Sequence, residues 1–222
     1  MTTNKNPGIY VHIPFCVRKC NYCAFLSGAS DEAMRERYVK ALCEEIRIRA
    51  MLMSDHEHGV FDTIFFGGGT PSLLTSAQVA RIIDELKMNF DIDSEAEITL
   101  ESNPKALSME SLKGYRDAGV NRLSMGVQSM NDEILKRLGR IHTAWDVIRD
   151  VQNAREAGFD NINLDLMFAV PGSSLETTLI DIEAVTSLEP EHISFYSLQL
   201  EEGTAFFKEF ERGELKEVPD EI

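Results

Sequence analysis

The sequence lacks three features that would each have assigned a class at once. No apolar run approaches the roughly 20 residues that a membrane-spanning helix needs. The N-terminal segment, Met1 to Pro7, has no apolar stretch typical of a secretory signal. Basic residues are scarce, because 22 Lys and Arg face 37 Asp and Glu for a formal charge of −15. We therefore expect a cytoplasmic protein with no transmembrane segment and no nucleic-acid partner.

Disorder is also excluded, since the 222 residues are 43% hydrophobic and 27% charged, as in an ordinary globular domain. The length fits one domain, or one large domain with a fragment attached. The composition changes only near residue 203. From Glu201 to Ile222, eight acidic residues face three basic ones. We therefore divide the chain into a core of residues 1–202 and an acidic connector of residues 203–222.

Short runs of β-branched and aromatic residues alternate with helical patterns along the core. Strands are predicted over Ile9–Ile13, Thr63–Phe66, Ile98–Leu100, Arg122–Val127, Ile162–Met167 and Ile193–Leu198. Helices are predicted from residue 31 to about 53 with Ser30 as N-cap, and over 76–89, 108–118, 144–157 and 175–188. This alternation indicates an α/β fold with a parallel sheet. Six such units without a Rossmann glycine pattern predict an incomplete (β/α) barrel, with a doubly wound open sheet as the alternative.

Polar residues follow nearly every predicted strand at its carboxyl end. They include the cysteine-bearing loop after the first strand, Gly67–Gly69 after the second, and Glu101 after the third. Gln128 ends the fourth strand, and Asp165 lies in the fifth. Ligand sites of barrels and open α/β sheets form at this edge. The sequence therefore predicts one ligand site there.

Cysteine is rare, and three of the four cysteines form the pattern Cys16-x3-Cys20-x2-Cys23. In a chain without a leader, such a cluster indicates metal or redox chemistry before disulfides. No second cysteine pair completes a usual zinc site. Three thiolates on a four-iron cluster would leave one iron open to a ligand. A zinc site or three free thiols remain the alternatives, and Cys43 is interpreted as a core residue.

Five segments together resemble one known family. They are Tyr10–Cys16, Gly67–Ser72, Glu101–Pro104, Asn121–Ser129 and Asn163–Met167. With the cysteine pattern, they resemble the radical S-adenosylmethionine (SAM) family, in the branch of oxygen-independent coproporphyrinogen III oxidase and a related haem chaperone. The resemblance runs from Tyr10 to about Phe207. It implies a partial, three-quarter barrel of six parallel β/α units, truncated after strand 6 and before a C-terminal domain.

The resemblance also implies the cofactors. Cys16, Cys20 and Cys23 would hold a [4Fe-4S] cluster, whose fourth iron would chelate SAM. Reduction would cleave SAM to methionine and a 5′-deoxyadenosyl radical, with no catalytic residue beyond the cluster and SAM. The positions implied to contact SAM are Tyr10, Tyr22, Gly68, Gly69, Thr70, Glu101, Gln128, Arg140 and Asp165.

One position separates the two members of that branch. The oxidase pattern has a further cysteine two residues after the third, where this sequence has Phe25. We therefore expect a haem chaperone, with haem or a porphyrin, haem-acceptor proteins and an electron donor as partners. The alternatives are the oxidase itself, which decarboxylates porphyrinogen propionates, and a radical SAM methyltransferase. His142 is interpreted as a loop histidine rather than a haem ligand.

Overall fold

The computed structural model describes residues 6–53 and 59–216. The strands are β1 (Gly8–Ile13), β2 (Phe61–Gly68), β3 (Ile92–Ser102), β4 (Arg122–Gln128), β5 (Ile162–Phe168) and β6 (His192–Ser197). The helices are α1 (Glu32–Leu52), α2 (Ser76–Asn89), α3 (Met109–Asp117), α4 (Asp132–Leu138), α5 (Ala144–Glu156), α6 (Leu175–Thr186) and α7 (Ala205–Glu211). A single 3₁₀ turn, Pro71–Leu73, follows β2.

All six strands form one parallel sheet in the order β1-β2-β3-β4-β5-β6. The register places Ile13 beside Gly68 and Phe168 beside Ser197, so the carboxyl ends of these neighbouring strands lie side by side. A doubly wound sheet reverses its strand order at a switch point. The sequential order therefore excludes that alternative and confirms the predicted partial barrel.

The core lies where the helices cover the sheet. Helix α2 shows how the sequence produces it, since Val79, Ile82, Ile83 and Leu86 recur at helical spacing and are all buried. Cys43 of α1 belongs to the same core, as predicted. A second apolar group, here called the α4–α7 cluster, consists of Ile134, Leu138, Met167, Val170, Phe206 and Leu215.

The helix ends follow ordinary capping chemistry, but the N-cap of α1 differs from the predicted one. Asp31, not Ser30, is the N-cap of α1, because its Oδ1 accepts a hydrogen bond from the Met34 amide at 2.7 Å. Ser30 instead accepts from Arg35. Gly119 and Gly158 follow α3 and α5 with φ of +103° and +92°, which confirms their predicted role as left-handed helix stops.

Helices α4 and α7 were not predicted from the sequence. Each spans only seven residues, too few turns for a clear periodic pattern. Helix α7 lies in the range expected to be a connector, and it is capped by Thr204, whose side chain accepts from the Phe207 amide at 3.1 Å. Across residues 6–53 and 59–216, no helix has both the length and the apolar character needed to cross a membrane.

Candidate functional site

The carboxyl ends of the strands surround a cavity of about 480 Å³. Eleven of the twelve site residues expected from the sequence line it: Cys16, Cys20, Tyr22, Cys23, Gly68, Gly69, Thr70, Glu101, Gln128, Arg140 and Asp165. These residues come from the cysteine loop, from four strands or the turns after them, and from the loop after α4. The topology therefore brings one site together from positions almost 150 residues apart, as the strand-end argument predicted.

The cysteine loop is closed at its base by backbone hydrogen bonds. The Cys16 amide donates to Gly28 O at 2.9 Å, and the Gly28 amide donates to Pro14 O at 3.0 Å. Within the loop, the Cys23 amide donates to Cys20 O at 3.3 Å. All three thiols are partly exposed to the same cavity. The loop is thus a defined turn that presents three sulfur atoms to one space.

The thiol arrangement suits a multi-iron cluster. Among the described residues, no three His, Cys, Asp or Glu side chains converge closely enough to hold a single metal ion. In a [4Fe-4S] cluster each thiolate binds a different iron, so three thiolates around one cavity need no such convergence. Burial raises the pKa of the Cys23 thiol, against the lowering effect of a hydrogen bond from the Phe25 amide and of Lys19. The donor set therefore fits a cluster that three cysteines hold.

The glycines after β2 are required by contacts behind the cavity. A Cβ on Gly69 would lie 2.6 Å from Phe15 O and 2.8 Å from Phe15 N, both backbone atoms of the cysteine loop. A Cβ on Gly68, whose φ is +111°, would lie 2.5 Å from the His12 ring. Glycine therefore lets the cysteine loop and β1 lie directly against the end of β2. The same run leaves backbone without side chains on the cavity wall.

Arg140 is a half-buried cation that lines the cavity. Its Nη1 donates to Cys20 Sγ at 3.7 Å, and its Nη2 donates to Gly126 O at 2.5 Å and to Asn103 Oδ1. Within the described part of the chain, no salt bridge to a carboxylate compensates its charge. Arg140 therefore places a positive charge beside the sulfur atom of Cys20.

Two carboxyl groups face the cavity close to one another. Burial raises the pKa of Glu101 to about 7, and the negative charge of Asp165 adds to the effect. Glu101 Oε2 accepts from the Gly68 amide at 3.2 Å. Burial also raises the pKa of Asp165, although Asp165 Oδ1 accepts from Asn163 Nδ2 at 2.7 Å. A cationic ligand between them would stabilise both charged forms.

Asn103 and Tyr196 line the same cavity but were not among the predicted site residues. Asn103 Nδ2 donates to Thr70 Oγ1 at 2.8 Å, and Tyr196 donates to Gln128 Oε1 at 2.7 Å. Gln128 adopts a left-handed φ of +70°, which aims its amide into this arrangement. The same sequence feature could have predicted both as site residues, since each is a polar residue at the end of a strand.

Tyr10 and His142 lie differently from the rest. The described residues that line the cavity do not include Tyr10, which is 58% exposed. Its hydroxyl lies 3.1 Å from His12 Nδ1, and its ring stacks on Phe65.

His142 does lie in a loop, but it is buried, with Nε2 3.0 Å from Val127 O. Burial, with Arg140 nearby, lowers the pKa of His142 to about 4, so its ring is neutral and Nε2 donates.

A family model described as the radical SAM superfamily matches residues 10–185. The haem chaperone HemW of Haemophilus influenzae is 41% identical over 200 residues, which are 89% of this chain and 52% of that protein. HemW of Bacillus subtilis is 40% identical over 215 residues, which are 96% of this chain and 55% of that protein. Thus the chain spans about half the length of the curated relatives it matches.

Among solved structures, coproporphyrinogen III oxidase (HemN) from Escherichia coli, described as a radical SAM enzyme, superposes with a TM-score of 0.78. It is 32% identical, and the match covers 86% of this chain and 44% of that one.

Proposed function

The chain belongs to the radical SAM superfamily, and from that premise we propose that it forms the cofactor-binding core of a haem chaperone. The family implies a [4Fe-4S] cluster and SAM. The observation that carries the proposal is the cavity of about 480 Å³ in which three cysteines, the glycine wall and Arg140 meet. Haem itself, the acceptor proteins and the electron donor are further parts of the proposal.

Cys16, Cys20 and Cys23 are the residues that would hold the cluster. When bound and reduced, such a cluster supplies the electron that cleaves SAM. The cysteine loop fixes the three thiols by backbone hydrogen bonds, and Thr70 and Arg140 contact two of their sulfur atoms at 3.6 and 3.7 Å. These contacts keep the two sulfur atoms facing the cavity.

The opposite wall suits SAM, which carries an ammonium, a sulfonium and a carboxylate. Glu101 and Asp165 offer anionic oxygens to the positive groups or to the ribose hydroxyls, while Arg140 is the cation for the carboxylate. Gly68 and Gly69 leave room for the ligand to reach the backbone. Tyr22, which is half-buried, and the more exposed Tyr196 line the cavity laterally. In this proposal, these residues bind and orient SAM and exclude water around it.

The chaperone is favoured over the oxidase by Phe25 and by the pattern of identity. Phe25 lines the cavity at the position where the oxidase pattern has a further cysteine. The two HemW relatives are 41% and 40% identical to the chain, against 32% for the oxidase structure. Supported by these similarities, we propose that the protein to which this core belongs binds haem and transfers it to haem proteins in the cytoplasm.

The test is anaerobic reconstitution of the cluster followed by two parallel assays. Haem titration should shift the Soret band, and coproporphyrinogen III offered with SAM and a reductant should remain unchanged. Formation of protoporphyrinogen IX would refute the chaperone proposal and establish the oxidase. The HemW relatives are about twice as long as this chain. Both assays should therefore also be run on the full-length protein.

The oxidase is the second candidate, because the superposition on HemN with a TM-score of 0.78 covers most of this chain. If it is correct, the cavity must also admit a porphyrinogen propionate. The turnover assay above distinguishes it directly from the chaperone.

A further inference from the structure

Asn21 lies between the second and third cysteines and is held at three points by segments far away in the sequence. Its amide donates to Leu138 O at 3.0 Å, and its side-chain Nδ2 donates to Arg137 O at 2.8 Å. Its own carbonyl accepts from the Phe206 amide at 3.0 Å. One residue of the cysteine loop therefore binds the last turn of α4 and the first turn of α7 at once.

These bonds also complete the end of α4. The carbonyls of the last helical turn have no partner within a helix. Asn21 supplies donors to two of them, Arg137 O and Leu138 O. Gly139, with φ of +79°, ends the helix beside it, and a Cβ there would lie 3.1 Å from Asn21 Oδ1. The cysteine loop thus acts as a C-terminal cap of α4, and the fit leaves little room for movement.

Helix α7 holds the other side of the same loop. Phe206 is fully buried in the α4–α7 cluster, and the neighbouring Tyr22 packs against that cluster. Arg137 lies over the Phe206 ring at 4.6 Å and forms an ion pair with Glu209 of α7 through Nη1 and Oε1 at 3.1 Å. The residues that hold α7 on α4 are therefore the ones that Asn21 and Tyr22 contact.

We propose that Asn21 is a positioning residue for the iron ligands, docking the Cys20–Cys23 segment onto the platform formed by α4 and α7. None of these hydrogen bonds uses a cysteine side chain, so we expect them to order the loop before the cluster binds. Ordering the loop in advance removes part of the conformational entropy that cluster binding would otherwise cost. Cluster retention and docking of α7 are then linked, since each favours the same loop conformation. The proposal rests on the cluster assigned to Cys16, Cys20 and Cys23.

Two substitutions separate a hydrogen-bonding role from simple space filling. Asn21→Ala removes the donor to Arg137 O. Asn21→Asp keeps the shape but replaces that donor with a carboxylate facing the carbonyl end of α4, where negative charge is unfavourable. We expect iron loss to a chelator from the reconstituted protein to be about fivefold faster for Asn21→Ala, the effect of one hydrogen bond, and faster still for Asn21→Asp. Asn89→Ala, which removes the side-chain hydrogen bonds to Glu85 O and Oε1 in remote α2, is the matched control and should behave as the wild type.

Hydrogen exchange on the metal-free proteins tests the docking without any cluster. The peptide that carries Asn21 should exchange faster in both Asn21 variants and in Phe206→Ala, while the peptides of β2 and β3 should not change. The electron paramagnetic resonance spectrum of the reduced cluster should broaden in the Asn21 variants, as the ligands become less uniformly held. A purely space-filling role predicts that Asn21→Asp is milder than Asn21→Ala in every assay, and that order would overturn the proposal.

Unchanged exchange in the loop of all three variants would also overturn it. If the wild-type chain held no iron, the proposed function would fail, but the exchange measurements would still decide whether Asn21 docks the loop.

Discussion

Asn103 donates a hydrogen bond to Thr70 at 2.8 Å and thereby connects two of the cysteine ligands through side chains. On one side, Thr70 Oγ1 lies 3.6 Å from Cys16 Sγ. On the other, Asn103 Oδ1 accepts from Arg140, whose Nη1 donates to Cys20 Sγ at 3.7 Å. The side-chain amide of Asn103 thus holds both groups that face the thiols. Its Nδ2 donates to the Thr70 hydroxyl, and its Oδ1 accepts from the Arg140 guanidinium.

The first prediction concerns this amide. Asn103→Asp keeps the acceptor for Arg140 but removes the donor to Thr70, whereas Asn103→Ala removes both. We expect Asn103→Ala to weaken SAM binding to the reconstituted protein by roughly tenfold, because Arg140 loses a fixing partner. Calorimetric titration with SAM measures the effect. Asn161→Ala, which removes only a 3.4 Å contact to Glu97, serves as control. Equal affinity in Asn103→Ala and the control would contradict this role.

The cysteines give a second prediction. Cys20→Ala should abolish iron retention after anaerobic reconstitution, because one iron of the cluster loses its thiolate. Cys43→Ala should retain iron at the wild-type level, since Cys43 is a buried core residue of α1. Iron content per chain is the measurement. Equal loss of iron from both variants would show that the ligand assignment is wrong.

The sequence predicted the barrel and the position of the site because both depend on local patterns. Strand-forming runs gave all six strands, although β3 begins at Ile92 rather than Ile98. Polar residues at strand ends gave Glu101, Gln128 and Asp165, which share the cavity because parallel strands end at one edge. Such patterns need no knowledge of how distant segments pack.

The contacts of Asn103 and Asn21 were beyond prediction for the opposite reason. Asn103 acts through Thr70 and Arg140, and Asn21 acts through α4 and α7, all far away along the chain. Hydrogen bonds of this kind depend on the close approach of loops, which sequence periodicity does not encode. The glycines show a related limit. The sequence predicted Gly68 and Gly69 only as SAM contacts, whereas in the structure they also let Phe15 and His12 pack directly behind them.

A third prediction tests that packing. Gly69→Ala places a Cβ within 2.8 Å of two backbone atoms of Phe15, so the cysteine loop must shift. We expect the metal-free protein to lose about 1–3 kcal/mol of stability, the usual cost of overpacking, measured by denaturant unfolding. Gly28→Ala is a matched control in the same loop, because its Cβ would have no atom within 4 Å. Similar losses in the two variants would contradict the steric explanation.

The fourth prediction concerns the pH dependence of the metal-free protein. Burial and Asp165 raise the pKa of Glu101 to about 7 from an ordinary 4.5. Between these values the folded state binds more protons than the unfolded state, so this group's contribution to stability falls as pH rises from about 4.5 to 7. Glu101→Gln keeps an acceptor for the Gly68 amide but cannot ionise.

We therefore expect the Glu101→Gln variant to be more stable than the wild type at pH 8 by on the order of 2 kcal/mol, and so to unfold at a higher temperature. Near pH 4.5 the two proteins should be equally stable. Asp165→Asn should move the wild-type transition to lower pH, because it removes the charge that raises the pKa of Glu101. Thermal unfolding across this pH range measures both effects. A stability difference between Glu101→Gln and the wild type that is the same at every pH would mean that packing, not ionisation, sets the contribution of Glu101 to stability. The Glu101 carboxylate would then already be charged before SAM binds.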